Sequence, residues 1–125
     1  MMKSRENLVR LKQFQVNEKR RRIDQLDAMI AEFERMASEL EAQIVSEETK
    51  AGITDQNHFA YPTFAKAARL RRDNLRTSQA ELLQQKEQAQ DDLSEVEVEL
   101  RKAEALEMRD GKRGSDAEAS RAMTG

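Results

Sequence analysis

The sequence predicts an all-α protein, a long two-helix antiparallel coiled-coil hairpin with a disordered C-terminal tail. Three observations lead there. Of the 125 residues 37% are charged and only 4% aromatic, a balance that argues against a thick globular core and for an elongated shape. An apolar alternation of threes and fours runs through the first half of the chain and returns, weaker, in the second. Charge changes sign from block to block, in an order that becomes complementary when the chain folds back on itself.

The first helix is expected over residues 3–50. Its seam reads Ile23, Leu26, Ile30, Phe33, Ala37, Leu40 and Ile44, with Met29 and Met36 widening it. Upstream, Leu8, Leu11, Phe14 and Val16 carry a looser pattern. Asn17 to Arg22 offers no good seam residue, although its Glu, Lys and Arg favour helix. The apex is expected at 51–61, with Gly52 as a candidate C-cap and Thr54 and Asp55 as candidate N-caps.

The second helix is expected over 62–110. Pro62 suits a first turn, where its missing N–H does no harm. The seam reads Phe64, Ala68, Arg71, Leu75, Ser78, Leu82, Gln85 and Ala89, then Leu93, Val96, Leu100 and Ala103. The extra step of four at Ala89–Leu93 reads as a stutter, and Arg71, Ser78 and Gln85 make this grip poor. Residues 111–125, GKRGSDAEASRAMTG, are small and polar and read as a disordered tail. Residues 1–110 thus form the hairpin.

The charge blocks specify how the helices pair. Residues 1–22 carry net +6, 23–50 net −6, 51–76 net +3, 77–110 net −6 and the tail +1. Folding at the apex sets the second block against the third and the first against the fourth, opposite signs in both cases. A parallel homodimer would set each block against itself. If Ile44 lies opposite Ala68, then Arg20, Arg21 and Arg22 come near Asp91 and Asp92. Each exposed pair contributes only a few tenths of a kcal/mol, about 0.2–1, so the pattern sets register more than stability.

The composition excludes several classes of function. One His and no Cys leave few nucleophile–base pairs, and no glycine-rich phosphate loop occurs. No catalytic residue, metal or cofactor is expected. No apolar run approaches the ~20 residues of a membrane span, so direct membrane insertion is not expected, nor does the N-terminus read as a secretory signal. A soluble cytoplasmic protein is the expectation. The runs KRRR (Lys19 to Arg22) and RLRR (Arg69 to Arg72) allow a nucleic-acid-associated basic coiled coil as one alternative. Their pairing with acidic blocks across the hairpin, with no nucleic-acid partner, is the simpler reading. A generic coiled-coil scaffold or homodimer is another alternative.

One stretch breaks the pattern. The only His, Tyr and Pro of the chain and two of its four Phe fall between His58 and Phe64. Phe59, Tyr61 and Phe64 could plug the open end of the seam around Ile44 and Ala68, or stand exposed and dock a partner. One ring can cap while another docks.

SRENLVRLKQFQVNEKRRRIDQLDAMIAEFERM, followed by an acidic heptad arm and a return helix, resembles the FliJ family of the bacterial flagellar type III export apparatus. LVRLKQFQVNEKRRR carries the best match, with Leu8, Leu11 and Phe14 ahead of Arg20, Arg21 and Arg22. HFAYPTFAKAARLRRDNL looks like the alphaproteobacterial form. The resemblance spans about residues 3–110. It implies an antiparallel coiled coil, similar to the central stalk of rotary ATPases. The joined ends of that hairpin would enter the export ATPase ring and promote its assembly and activity. It also implies contacts with the ATPase's regulator, with the cytoplasmic domain of the export-gate membrane protein and with export chaperones. The expected location is cytoplasmic, peripheral to the inner membrane at the flagellar base. The HFAYP segment departs from the simplest coiled hairpin.

Overall fold

The computed structural model describes the backbone of residues 2–124 and the side chains of residues 4–114. Two helices make up the fold, α1 (Met2–Ala51) and α2 (Thr63–Thr124), of 50 and 62 residues. They run antiparallel and pack against each other, as expected of a two-helix coiled-coil hairpin. Two compact units are distinguishable, Asp24–Glu87 and Met1–Ile23 with Gln88–Gly125.

In the unit Asp24–Glu87 the α1 seam is the one the sequence predicts. Leu26, Ala37, Leu40 and Ile44 are buried, while Ile30 and Phe33 are half-buried. Leu40, Ile44 and Ala68 form one buried cluster, with Leu75 packed against it. This is the expected register, Ile44 against Ala68.

The α2 seam differs from the expectation on alternate rungs. Ala65, Arg72, Gln79 and Lys86 face α1, where Phe64, Arg71, Ser78 and Gln85 were expected. Phe64, Arg71 and Gln85 are exposed and Ser78 is half-buried. With these residues in place the alternation on α2 runs 65, 68, 72, 75, 79, 82, 86, 89, 93 without the predicted stutter. The physical reason lies in the partners. Long polar side chains lay their methylene stems along a narrow seam and bring their heads to its edge. There they meet acids spaced seven apart on α1. Arg72 bonds Glu41, Gln79 donates to Glu34 at 3.1 Å, and Lys86 reaches Asp27 at 2.6 Å. Arg76 also bonds Glu34, and Gln79 donates to the Ile30 carbonyl at 3.3 Å.

The terminal unit uses the same device with the signs exchanged. On α1 the inward residues are Arg5, Val9, Lys12, Val16 and Lys19, of which Val9 and Val16 are buried. Arg5 pairs with Asp110 at 2.5 Å, Lys12 with Glu99 at 2.9 Å and Lys19 with Asp92 at 3.9 Å. Thus Asn17 to Arg22, which offers no apolar seam residue, places Lys19 on the seam. Of the three arginines expected near Asp91 and Asp92, Arg20 pairs with Glu97 at 3.4 Å and Arg21 with Glu18 in its own helix. On α2, Ala89 and Ala103 are buried and Leu93, Val96 and Leu100 half-buried. The tail expected over 111–125 starts beyond the packed part of α2. Ala103 is the helix's last buried residue among those described.

Two predictions follow from this packing. Ile44→Ala, which empties a fully buried position, should lower the unfolding free energy by about 2–4 kcal/mol. Leu83→Ala, on the exposed face, should change it by less than about 0.5 kcal/mol. Urea denaturation followed by far-UV circular dichroism tests both. The second prediction concerns acid. Hydrogen bonds from Arg76 and then Gln79 hold the Glu34 carboxyl down at about 2, against an ordinary 4.5. A group lowered on folding stabilises above its unfolded value and loses that contribution as pH falls through its folded value. The stability gap between the native chain and Glu34→Gln should therefore close between about pH 4.5 and pH 2. A gap unchanged across that range would remove Glu34 from the acid response.

Candidate functional site

The apex is built by a sequence of local closures. α1 stops at Gly52, which takes φ +69°, a left-handed conformation that costs glycine little. The N–H groups of Gly52 and Ile53 both close on the Glu48 carbonyl, at 2.9 and 3.3 Å. Two tight turns follow. The Asp55 carboxylate accepts from the Asn57 N–H at 2.9 Å and its carbonyl from the His58 N–H at 3.1 Å. His58 Nδ1 then accepts from the Ala60 N–H at 3.0 Å, and the His58 carbonyl from the Tyr61 N–H at 3.0 Å. Asp55 therefore caps a turn rather than a helix. Pro62 sits one residue before α2, its carbonyl accepting from the Lys66 N–H at 3.0 Å.

Tyr61 pins this loop to both helices. Its ring is buried, and its hydroxyl donates to Glu48 Oε2 at 3.2 Å. Arg69 Nε donates to the same hydroxyl at 2.8 Å, and Arg69 Nη2 to Glu48 Oε2 at 3.1 Å. The Arg69 guanidinium carbon lies 6.0 Å from the Tyr61 ring centre, within reach of a cation–π attraction. The Tyr61 hydrogen bond, with the carboxylate of Glu48, raises the Arg69 pKa above its usual value. A buried carboxylate is tolerated here because a cation and a hydroxyl both satisfy it.

The three apex aromatics thus divide. Tyr61, a candidate for partner binding in the sequence, is committed to the cap and offers no ring face. Phe59 is 97% exposed and stacks on His58 with ring centres 4.8 Å apart. Phe64 is 57% exposed. A loop fixed by these backbone and side-chain closures holds the Phe59 ring in solvent, so little ordering entropy would be lost on docking. The sequence did not reveal His58 Nδ1 or the Tyr61–Glu48–Arg69 cluster. Its one available signal was Glu48 itself, seven residues beyond Glu41 in the series Asp27, Glu34, Glu41, Glu48.

The terminal candidates are on the other unit. Leu8, Leu11 and Phe14 are exposed, Leu11 by 50% and Phe14 by 61%, because Val9 and Val16 take the inward positions. Arg20, Arg21 and Arg22 are exposed as well. The basic runs are heavily engaged with carboxylates: Lys19, Arg20 and Arg21 as described, Arg69 with Glu48, and Arg72 with Glu41 and Asp73. Among the described residues no group of three or more His, Asp or Glu could hold a metal, and no helix is long and apolar enough to cross a membrane. No family model, curated protein or solved structure matches the chain.

The apex roles can be separated by mutation. Tyr61→Phe should cost about 1–2 kcal/mol, since it removes a hydroxyl that both Glu48 and Arg69 use. Phe59→Ala should be neutral to within about 0.5 kcal/mol. Urea denaturation of both variants checks the assignment, and a costly Phe59→Ala beside a neutral Tyr61→Phe would reverse it.

Proposed function

We propose that this chain is a non-enzymatic component of a bacterial flagellar type III export apparatus, of the FliJ kind. Its hairpin would bind the export ATPase and its regulator and promote assembly and activity of the ATPase ring. It would also contact the cytoplasmic domain of the export-gate membrane protein and export chaperones. Its place would be cytoplasmic, peripheral to the inner membrane at the flagellar base.

The observation that carries this reading is the exposure of Leu11 and Phe14 within LVRLKQFQVNEKRRR, the stretch on which the resemblance rests. Apolar residues held on a polar helix face are interface anchors in the making. Phe59 and Phe64 supply a second set of anchors at the apex, suited to a different partner. The ion pairs made by both basic runs favour protein partners over nucleic acid, which needs cations to meet phosphates. A generic coiled-coil scaffold is the rival, and it would show no dealings with an export ATPase.

The test is co-purification with the flagellar export ATPase of the same genome, scored together with its rate of ATP hydrolysis. Binding with stimulated hydrolysis is the expected result. Leu11→Asp with Phe14→Asp should weaken that binding about a hundredfold, roughly 2.7 kcal/mol, while the purified chain keeps its helicity. Binding retained in the double variant would remove the terminal face from the interface. No binding and no stimulation by the native chain would defeat the export reading itself.

A further inference from the structure

We infer that α2 carries, in the terminal unit, a basic face that adsorbs to an anionic lipid surface. The face lies in the stretch Val98 to Arg113, about 24 Å of helix at 1.5 Å per residue. At 3.6 residues per turn, Arg101, Lys102, Arg109, Lys112 and Arg113 fall within about 140° of the helix circumference, and no carboxylate of the stretch shares that arc. Glu99 and Asp110 reach instead to Lys12 and Arg5 of α1, and Glu97, one residue upstream, to Arg20. The five cations are exposed, and none makes an ion pair or side-chain hydrogen bond with a described residue. Seven of the lysines and arginines with described side chains lack such a partner, and five of the seven are these.

Two further observations identify the surface. Apolar side chains lie among the cations on the same arc: Val98, 39% exposed, Ala105, also exposed, and Met108, 77% exposed. Nucleic-acid faces set Ser, Thr, Asn and Gln beside their Lys and Arg, and Val98 to Arg113 contains none of them. Apolar residues between long cations are instead the makeup of a helix that lies in a membrane interface, with its charged heads at the lipid phosphates. The second observation is the sign of the field. The whole chain is net −2, yet the terminal unit holds fourteen basic against twelve acidic side chains, net +2, while Asp24–Glu87 is net −4. An anionic surface therefore attracts this unit and repels the other. Leu8, Leu11 and Phe14 take no part, so the inference goes beyond the export reading and does not depend on it.

The probe is lipid alone, with no ATPase present. The full chain is mixed with vesicles of equal parts phosphatidylglycerol and phosphatidylcholine, or of phosphatidylcholine only, and the bound fraction is read by co-sedimentation. Binding to the anionic vesicles alone is expected, weakening about tenfold or more between about 0.05 and about 0.3 M salt. Lys102→Gln with Arg109→Gln should weaken it about thirtyfold, since each cation near an anionic leaflet contributes about fivefold. Lys66→Gln with Arg71→Gln changes net charge equally, at exposed cations of the other unit, and should leave binding within about twofold. Circular dichroism checks that helicity is kept. If the first pair loses it, Lys112→Gln with Arg113→Gln, beyond the last described buried residue, decides. Equal binding to both vesicle types, no binding to either, or equal losses in the two units would overturn the proposal. Binding to a short DNA duplex in preference to anionic vesicles would assign the face to nucleic acid and overturn the lipid.

Discussion

Two helices can each bury only one stripe against the other, and everything else in this structure answers that constraint. The apolar part of the seam is thin. Alanines fill many α2 rungs, and the large fully buried side chains are Leu26 and Ile44. Hydrophobic burial gives such a pair cohesion but little preference among registers. Register is supplied by charge at seven-residue intervals. Asp27, Glu34 and Glu41 meet Lys86, Gln79 and Arg72, and in the other unit Lys12 and Lys19 meet Glu99 and Asp92. Single pairs of this kind are weak in water. Their value is that the same spacing repeats, so a slip of less than a heptad is wrong at several places together.

Much of this could be read from the sequence, and the exceptions have a common cause. The antiparallel fold-back followed from the alternation of charge blocks. The α1 seam and the Ile44–Ala68 register followed from apolar spacing. The α2 seam was displaced because hydrophobicity alone favours Phe64 over Ala65 and passes over Arg72 and Lys86 altogether. Those side chains belong to the seam through their stems and to the surface through their heads. The same preference for size drew attention to Leu8, Leu11 and Phe14, while the smaller Val9 and Val16, with Lys12 and Lys19, did the packing. Once a residue's length and its partner's charge are considered with its hydropathy, the alternation is regular.

At the apex the aromatic cluster was plain in the sequence, and the division of labour within it was not. That division depends on Glu48, one turn before the end of α1, being within reach of Arg69 through the Tyr61 hydroxyl. Such a contact joins residues 13 and 21 positions apart and has no periodic signature. The result is an apex whose inner ring, Tyr61, is structural, while Phe59 in the loop and Phe64 in the first turn of α2 stay exposed. The terminal unit makes a parallel division, with valines inward and leucine and phenylalanine outward. In both units the packing takes the smaller or better-placed apolar residue and leaves the bulkier ones outside.

The acidic series on α1 has a further consequence. A ladder that repeats every seven residues is a vernier with more than one matching setting. Within Asp24–Glu87, sliding α2 by one heptad, about 10 Å, would bring Arg72 to Glu48, Gln79 to Glu41 and Lys86 to Glu34, with no like charges opposed. Charge alone does not forbid that slip. The detent is the apex, where Glu48 is already held by Tyr61 and Arg69, so a shifted register would first have to break that cluster and unwind the start of α2. A cap that looks like mere tidying of a loop therefore sets the zero of the scale for the helices it joins.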